Sequence, residues 1–240
     1  MTGGSRGIGA SVVEAGVARG YPVCFSYVSD DAAADRLRVR LATASAPVLP
    51  VKADVSDPDA VRRLFDRAES LGAVTGVVNN AAIRNQIGAF VERTPDEMRR
   101  LMDVNVLGVM YVCREAISRW LATDSAGSIV NVSSIGATVG APGEFVTYAA
   151  SKGAVDSLTV GLGREYARRG IRVNAVSPGT IDTGSHATFG DPGRARRLAS
   201  TVIPMGRSGE PHEIADAVMW LLSAEAAFVA AANLRVSGGV

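Results

Sequence analysis

Short apolar runs and longer stretches with apolar residues three or four positions apart follow one another through the first half of this sequence. The runs at 21–27, 48–52 and 74–78 have the length and composition of buried strands. The stretches at 32–44 and 57–71 place their apolar residues on one face of a helix. The pattern therefore predicts strands that alternate with helices.

The second half of the sequence continues this alternation. Thr94, Pro95 and Glu97 form a capping box with proline at the first helical position, which predicts a long helix from Thr94 to about Trp120. The remaining predicted elements are a strand at 128–132, a helix at 148–168 ended by Gly170, a strand at 171–176 stopped by Pro178-Gly179, a helix at 211–223 and a strand at 234–236.

This order of elements predicts an α/β fold, a doubly wound, Rossmann-like parallel sheet covered by helices on both faces. The ligand crevice of such a sheet lies at the carboxyl ends of its strands. No repeat or linker divides the sequence, so we expect one domain at 1–240 that binds a dinucleotide and carries the catalytic residues.

The longest stretch without periodicity, 179–207, predicts a lid over the substrate. Its apolar ends, Ile181 and Ile203-Pro204-Met205, favour a lid that packs against the rest of the protein. A surface excursion with one short helix is the alternative. His186 lies within this stretch, where we expect a solvated side chain rather than one that contacts the substrate.

Composition removes several classes of function. A hydrophobic content of 47% with 20% charged residues argues against disorder, and a net charge of +1 gives no electrostatic reason to expect nucleic acid or an anionic membrane as a partner. No apolar run has the length that spans a membrane. Cys24 and Cys113 lie in apolar segments, where buried reduced thiols are expected rather than a disulfide or a metal site. We therefore expect a cytoplasmic protein without a metal.

Glycines open the sequence, at Gly3, Gly4, Gly7 and Gly9, directly before a helical pattern and the strand at 21–27. In a turn between strand and helix, glycines let the backbone approach a pyrophosphate whose charge is stabilised by the helix N-terminus. A flexible glycine-rich terminus is the alternative, but the order of elements favours a dinucleotide-binding unit.

Tyr148 and Lys152 are four positions apart and share one face of the predicted helix at 148–168. A neighbouring cation stabilises a phenolate, so this pair is suited to proton transfer. Ser134 follows the strand at 128–132 and is a hydrogen-bond donor for the same site. Taken singly, Tyr148 and Lys152 are more typical of an exposed helix face, and Ser134 is more typical of a hydroxyl that bonds its own backbone.

Six motifs in this order together resemble the short-chain dehydrogenase/reductase family. They are Thr-Gly-Gly-Ser-Arg-Gly-Ile-Gly at 2–9, Asn-Asn-Ala-Ala at 79–82, Asn-Val-Leu-Gly at 105–108, Ser134, Tyr148 with Lys152, and Pro178-Gly179. Pro-Gly-Glu-Phe at 142–145 and Asp-Pro-Gly-Arg at 191–194 are similar to a bacterial branch of this family whose substrates are poorly assigned.

The resemblance implies hydride transfer between a nicotinamide cofactor and a small carbonyl or secondary alcohol substrate. Tyr148 is then the general acid and base, and Ser134 donates a hydrogen bond to the carbonyl oxygen. Lys152 lowers the pKa of Tyr148 and also holds the nicotinamide ribose. The resemblance further implies that Asn105 distorts its helix and holds a water that links Lys152 to solvent.

The same resemblance implies a set of residues that bind the cofactor. They are Gly3, Ser5, Arg6, Gly7, Ile8, Gly9, Tyr27, Asp54, Val55, Asn80, Ala81, Ala82, Tyr148, Lys152, Pro178, Gly179, Ile181 and Thr183. The second strand ends without the acidic residue that favours NAD, and Arg6 offers a guanidinium to a 2′-phosphate, so NADP(H) is favoured and NAD(H) stays possible. We expect Asp30 and Asp31 to cap the next helix.

The sequence departs from the family pattern in three places. Relatives carry a hydrophobic strand before Thr2, where this sequence has only Met1. We expect that first strand to be missing or truncated, because the start was assigned too late or because tag residues stand in its place. The edges of its two neighbouring strands would then be unpaired, and the core would contain a gap. Ala82 stands at a usual glycine, and Ala230-Ala231 replaces a usual Thr-Gly.

Two other functions remain open. A 3-ketoacyl-thioester reductase would need a basic docking surface for an acidic carrier protein. The scattered arginines of this sequence either supply such a surface or only solvate helix faces. A cofactor-binding regulator or scaffold with little catalysis is the alternative of another class. The resemblance also implies a homo-oligomer, a tetramer or a dimer, formed through the helices that begin near Thr94 and Tyr148.

Overall fold

Parallel strands alternate with helices throughout the described residues, 1–42, 46–184, 191 and 193–240, of the computed structural model. The strands are β1 (Val23–Tyr27), β2 (Val48–Lys52), β3 (Gly76–Asn79), β4 (Gly127–Val132), β5 (Ile171–Pro178) and β6 (Asn233–Val236). The helices are α1 (Gly7–Ala18), α2 (Asp31–Arg40), α3 (Pro58–Glu69), α4 (Pro95–Met102), α5 (Gly108–Ala122), α6 (Gly136–Val139), α7 (Val146–Tyr166), α8 (Arg194–Thr201) and α9 (Pro211–Leu222).

The strands form two groups. β1 pairs with β2 in parallel, and β3, β4, β5 and β6 pair in that order, also in parallel. Successive residues of a strand face opposite sides, so each strand contributes to two cores. Val77 and Ile129 pack with α3, α5 and α7 on one face, whereas Val78 and Val130 pack with α1 and α9 on the other. Helices cover both faces, which confirms the doubly wound fold.

Residues 1–4 join the two groups of strands. The Met1 carbonyl oxygen accepts from the Ser26 N–H, and the Gly4 N–H donates to the Ser26 carbonyl oxygen, each at 2.9 Å. On the other side, the Thr2 N–H donates to the Val78 carbonyl oxygen at 2.9 Å. Residues 1–4 therefore pair with the edges of β1 and β3 near the carboxyl ends of these strands. The gap that the sequence predicts is shorter for this reason.

Below residues 1–4, a cavity of about 280 Å³ separates β1 from β3. Apolar side chains from both groups of strands and from the helices above and below line it, among them Cys24, Leu64, Phe65, Val77 and Met219. The predicted gap in the core is thus present, and it is confined to the amino-terminal half of the sheet.

The predicted helix from Thr94 to about Trp120 is interrupted. The capping box is present, since the Glu97 N–H donates to Thr94 Oγ1 at 3.2 Å and the Thr94 N–H donates to Glu97 Oε2 at 2.8 Å. At Asp103–Leu107 the backbone takes a π-helical turn, which separates α4 from α5. Asn105 lies at the centre of this turn.

No helix among the described residues is both long and apolar enough to cross a bilayer.

Candidate active site

The glycine turn holds its backbone in conformations and contacts that side chains would disturb. Gly3 has a φ of +63°, in the left-handed region that favours glycine. A Cβ on Gly9 would lie 2.1 Å from the Gly3 carbonyl oxygen, so α1 approaches the turn only because residue 9 has no side chain. The turn therefore exposes backbone rather than side chains toward the carboxyl end of the sheet.

The N-terminus of α1 points into the same space. Arg6 is the N-cap residue and its side chain makes no capping hydrogen bond, so the first N–H groups of the helix are available to an anion. Thr183 lies against Gly7, since a Cβ on that glycine would be 3.3 Å from the Thr183 Cβ. These groups lie together where the sequence predicts a phosphate site.

Asn80 anchors the turn to the end of β3. Its Nδ2 donates to the Gly3 carbonyl oxygen at 2.8 Å and to the Thr2 carbonyl oxygen at 3.2 Å. In return, Thr2 Oγ1 accepts from the N–H groups of Asn80 and Ala81, at 3.0 and 3.1 Å. The motif at 79–82 therefore shapes the glycine turn as well as lining the cavity beside it.

At the end of β1, acidic side chains are occupied by local partners. Asp30 caps α2 by accepting from the Ala33 N–H at 2.9 Å, as predicted. Asp31 is instead the first residue of α2, where it accepts from Tyr27 Oη at 3.0 Å and from Lys52 Nζ at 3.0 Å. Hydrogen bonds from Lys52 and Tyr27 lower the pKa of Asp31. Its charge is thus compensated by Lys52.

At the end of β2, Asp54 and Val55 line the cavity. Asp54 accepts from the Ser56 N–H at 2.9 Å, from Ser56 Oγ at 2.7 Å and from Arg100 Nη2 at 2.6 Å. Partial burial raises the pKa of Asp54, but these hydrogen bonds outweigh burial and lower it. Val55 packs tightly against Gly108, where a Cβ would lie 2.7 Å from Val55 Cγ2.

Tyr148 and Lys152 lie together in the first turns of α7. Tyr148 is 7% exposed and Lys152 is 2% exposed. Lys152 Nζ donates to the Val132 carbonyl oxygen at 2.7 Å and lies 5.6 Å from the centre of the Tyr148 ring. The predicted phenol and ammonium are therefore neighbours, and both side chains are largely buried.

The surroundings of Tyr148 favour its ionised form. Burial raises the pKa of the phenol, but the charges of Arg84 and Lys152 and hydrogen bonds from Arg84 and Ser134 outweigh it, lowering the pKa from 10.0 to about 8. Burial also lowers the pKa of Lys152. A phenol with this pKa exchanges protons near neutral pH.

Ser134 follows β4 and lines the cavity beside Tyr148. Its Oγ accepts from the Gly136 N–H at 3.0 Å, which fixes the oxygen and leaves the hydroxyl proton to be donated. The Ser134 hydroxyl contributes to the lowered pKa of Tyr148. Both hydroxyls line the same cavity.

Asn105 is fully buried behind the cavity rather than in its wall. Its Oδ1 accepts from the Ile83 N–H at 2.8 Å, and its Nδ2 donates to the Ile83 carbonyl oxygen at 2.9 Å and to Ser151 Oγ at 3.1 Å. These contacts hold the π-helical turn against the segment after β3. The helix distortion implied by the resemblance is present, and the bound water stays a prediction.

The carboxyl end of β5 supplies the last predicted residues. The Gly179 N–H donates to the Val236 carbonyl oxygen at 2.9 Å, and Ile181 is buried. Further along, Arg194 of α8 pairs with Glu144, with Nη2 2.5 Å from Oε2. Ile203 is buried, as a lid that packs against the protein requires, but Met205 is 65% exposed.

His186 lies outside the described residues.

One cavity of about 840 Å³ collects these groups. Of all the predicted catalytic and cofactor-binding residues, only Gly9 and Asn105 do not line it, since Gly9 lies beneath the turn and Asn105 behind the wall. Its size falls within the range of small-molecule and cofactor sites, roughly 300–1,000 Å³. Exposed backbone at the glycine turn and the open N-terminus of α1 fit the pyrophosphate of a dinucleotide.

Two residues outside the predicted set of site residues also line this cavity. Arg84 Nη2 lies 3.4 Å from Tyr148 Oη, and the Arg84 guanidinium carbon lies 4.6 Å from the centre of the Tyr148 ring. Phe145 is buried beside Tyr148, at the N-terminus of α7. Phe145 belongs to the motif at 142–145, whereas the only signal for Arg84 is its position two residues beyond the turn at 79–82.

Known proteins are similar to this chain in sequence. The sequence profile of a family described as "Enoyl-(Acyl carrier protein) reductase" matches residues 3–240. "Uncharacterized oxidoreductase YgfF" of Escherichia coli (strain K12) is 40% identical over 242 residues, covering 100% of this chain and 98% of that protein. "3beta-hydroxysteroid dehydrogenase 1" of Eggerthella lenta is 40% identical over 243 residues, covering 100% of this chain and 92% of that protein.

A solved structure has the same fold. The crystal structure of a blue fluorescent protein from a metagenomic library in complex with NADPH matches with a TM-score of 0.89 and 34% identity. The match covers 99% of this chain and 95% of that chain. With the profile match and the relatives above, it shows that this chain belongs to the short-chain dehydrogenase/reductase family.

Proposed function

We propose that this protein transfers a hydride between NADP(H) and a small carbonyl compound or secondary alcohol, with Tyr148 as general acid and base. The observation that carries the proposal is the buried phenol, whose pKa of about 8 suits proton transfer, in the same cavity as the glycine turn. Membership of an oxidoreductase family that acts on CH–OH groups supports the same reaction.

Tyr148 and Ser134 act on the oxygen of the substrate. In reduction, Ser134 donates a hydrogen bond to the carbonyl oxygen, and the Tyr148 hydroxyl donates the proton that this oxygen gains. In oxidation, the Tyr148 phenolate accepts the proton of the alcohol. Lys152 stabilises the phenolate through its charge, from a position fixed by the Val132 carbonyl oxygen. When bound, the nicotinamide supplies or accepts the hydride.

Charges at the end of β1 support NADP(H). Arg6 is exposed at the mouth of the cavity, where a guanidinium can bind a 2′-phosphate in bidentate fashion. Asp30 is occupied by the Ala33 N–H, and Asp31 is paired with Lys52. The NADPH complex of the similar blue fluorescent protein supports the same choice.

The segment 179–207 is our candidate for the substrate lid. Within its described part, α8 is tied to the entrance of α7 by the ion pair between Arg194 and Glu144, and both residues line the cavity. Leu198 and Ile203 add apolar surface to the same wall. A lid held in this way would exclude water from the proton transfer at Tyr148.

We also propose a homo-oligomer and a cytoplasmic location. Met102, Leu107 and Met110 are each about two-fifths exposed along α4 and α5, and Val160 is exposed on α7, which supports an interface on these helices. Light scattering of the wild type and of Met110→Glu tests the interface; a wild-type monomer contradicts it.

The free thiols of Cys24 and Cys113 support a reducing compartment, such as the cytoplasm.

A screen for NADPH oxidation over aldehydes, ketones, oxo acids and an acetoacetyl thioester tests the function. We expect turnover with at least one class, and a loss of at least about 100-fold in Tyr148→Phe because general acid catalysis is removed. Preference for the thioester would favour the 3-ketoacyl-thioester alternative. Equal rates in wild type and Tyr148→Phe would refute the proposed mechanism, and cofactor binding without any turnover would favour a regulator.

A further inference from the structure

A carboxylate lies one helical turn beyond Lys152. Asp156 follows Lys152 by four positions on α7, and residues at this spacing are neighbours on a helix, with Cβ atoms roughly 5–6 Å apart. Its side chain is half-buried and forms a hydrogen bond with the hydroxyl of Ser133, the residue that follows β4. Tyr148, Lys152 and Asp156 therefore succeed one another along one face of α7.

One oxygen of this carboxylate has no hydrogen-bond partner. Asp156 Oδ1 is shielded from solvent, and none of the described residues donates to it. Burial raises the pKa of Asp156, and the Ser133 hydroxyl and the charge of Lys152 offset part of this effect. Buried polar atoms without a partner are rare in folded proteins, so this oxygen needs another compensation. The neighbouring ammonium supplies it through its charge.

Ser133 fixes the position of the carboxylate. Its N–H donates to the Val176 carbonyl oxygen at 2.8 Å, and its side chain is buried. Its Oγ lies 3.4 Å from the Lys152 carbonyl oxygen, which is long for a hydroxyl donor, so the proton is left for Asp156. Ser133 thus keeps the carboxylate turned toward the sheet and beside the turn of α7 that carries Lys152.

Lys152 requires a negative charge in order to keep its proton. Burial lowers the pKa of Lys152 and the charge of Arg84 lowers it further, whereas Tyr148 and Asp156 raise it. Tyr148 carries its charge only as a phenolate. While the phenol is neutral, Asp156 is therefore the group among these that offsets the burial of the ammonium.

We propose that Asp156 is a positioning residue of the active site, whose carboxylate, fixed by Ser133, keeps Lys152 protonated while Tyr148 holds its own proton. This inference rests on the proposed function and adds a residue to the same site. Asp156 does not line the cavity, so it touches neither substrate nor cofactor and acts through Lys152.

The composition of the chain allows a direct test. It contains two lysines, Lys52 and Lys152, so the protein grown with isotope-labelled lysine gives two side-chain signals by NMR, and Lys52→Arg assigns them. The titration midpoint of Lys152 is then read without any turnover. In Asp156→Asn we expect this midpoint to fall by about half a pH unit or more, because the carboxylate charge is lost with little change in shape.

Two variants control this measurement. Glu165→Gln removes an exposed carboxylate from the same helix and should leave the midpoint of Lys152 unchanged. Asp156→Glu keeps a carboxylate and should retain most of the wild-type midpoint. Asp156→Ser repeats the test with a smaller neutral side chain, so the result does not depend on the folding of one variant.

The pH dependence of turnover gives a second readout. In oxidation, kcat should fall at alkaline pH when Lys152 loses its proton, since the phenolate then lacks its stabilising charge. This break should move to lower pH in Asp156→Asn. A purely structural role would lower activity at every pH and leave the break in place.

The outcomes separate the two proposals. Equal midpoints of Lys152 in the wild type, Asp156→Asn and Asp156→Ser would overturn the inference, and the proposed function would stand if turnover still depends on Tyr148. A lowered midpoint in a protein that reduces no carbonyl compound would refute the proposed function and leave the electrostatic link between Asp156 and Lys152 intact.

Discussion

Lys152 Nζ donates a hydrogen bond of 2.7 Å to the carbonyl oxygen of Val132. This contact ties the helix that carries Tyr148 to the strand that delivers Ser134, because Val132 is the last residue of β4. The same ammonium therefore holds the two hydroxyls of the site in register and supplies charge to the phenol.

Replacing Lys152 tests both roles. Lys152→Met should lower kcat by at least about 100-fold, because the phenolate loses a stabilising charge and α7 loses one of its contacts with β4. Lys152→Arg retains the charge but places a larger, planar group in a site that is 2% exposed, so we expect only partial recovery. Steady-state kinetics in the reductive and the oxidative direction measure the effect. Full activity in Lys152→Met would exclude this ammonium from the mechanism.

The pKa of Tyr148 predicts opposite pH profiles for the two directions. The neutral phenol donates the proton in reduction, so kcat/KM should fall as pH rises through about 8. The phenolate accepts the proton in oxidation, so kcat/KM should rise through the same pH. Initial rates in both directions from about pH 6 to about pH 10, roughly two units on either side of that pKa, check this. Profiles that break in the same direction would assign the proton transfer to another group.

Gly9→Ala should abolish cofactor binding. The added Cβ would lie 2.1 Å from the Gly3 carbonyl oxygen and 2.8 Å from Asn80 Nδ2, so the glycine turn and its anchor must both move. We expect the Kd for NADPH, measured by fluorescence, to weaken about 100-fold or more, since the turn supplies the phosphate contacts.

Gly161→Ala is the matched control, because a Cβ at this position of α7 meets no atom within 4 Å. It should leave the Kd for NADPH unchanged and stabilise the helix by up to about 1 kcal/mol. Tight NADPH binding by a folded Gly9→Ala variant would show that the turn does not hold the pyrophosphate.

Arg6→Gln should shift cofactor preference. Removal of the guanidinium should raise the Kd for NADPH by about 10-fold, because hydrogen bonds to charged groups are worth about 1.5–3 kcal/mol, and should leave NADH binding nearly unchanged. Arg19→Gln is the control at the other end of α1, where Arg19 forms an exposed ion pair with Asp216. An equal loss for both cofactors would place Arg6 on the pyrophosphate instead.

Ala231→Gly should stabilise the protein. Ala231 has a φ of +59°, and an alanine in this left-handed region costs about 1–2 kcal/mol that glycine avoids. Glycine loses more conformational entropy on folding than alanine, which offsets part of this gain. We therefore expect the free energy of unfolding to rise by roughly 1 kcal/mol. Urea unfolding measures it.

Gly163→Ala should do the reverse, since its Cβ would lie 2.7 Å from the Ala231 nitrogen. A loss of stability in Ala231→Gly would mean that the Ala231 methyl group contributes more by packing than its backbone conformation costs.

Local patterns in the sequence were sufficient for the elements and for most of the site. Tyr148, Lys152 and Ser134 lie as the helical spacing and the end of β4 predict, because each position follows from one element and its neighbour in the chain. The glycine turn follows for the same reason. The capping box at Thr94 and Glu97 has the predicted hydrogen bonds.

What the sequence patterns missed depends on contacts between distant segments. The helical period continues through Asp103–Leu107, so only the family resemblance implied the distortion that the π turn shows there, where Asn105 binds Ile83 and Ser151. Arg84 belongs to no motif, and its role becomes visible only when the fold places it against Tyr148. Such pairings leave no periodic trace.

Residues 1–4 connect the glycine turn to both groups of strands above the 280 Å³ cavity. A ligand that tightens this turn should therefore act as a clamp between the two halves of the sheet. In hydrogen-exchange measurements, amides of β1 and β2 should open at a lower free energy than those of β4 and β5, and NADPH should slow exchange most strongly in β1 and β2. Occupancy by the cofactor would thus set the cooperativity with which the molecule unfolds.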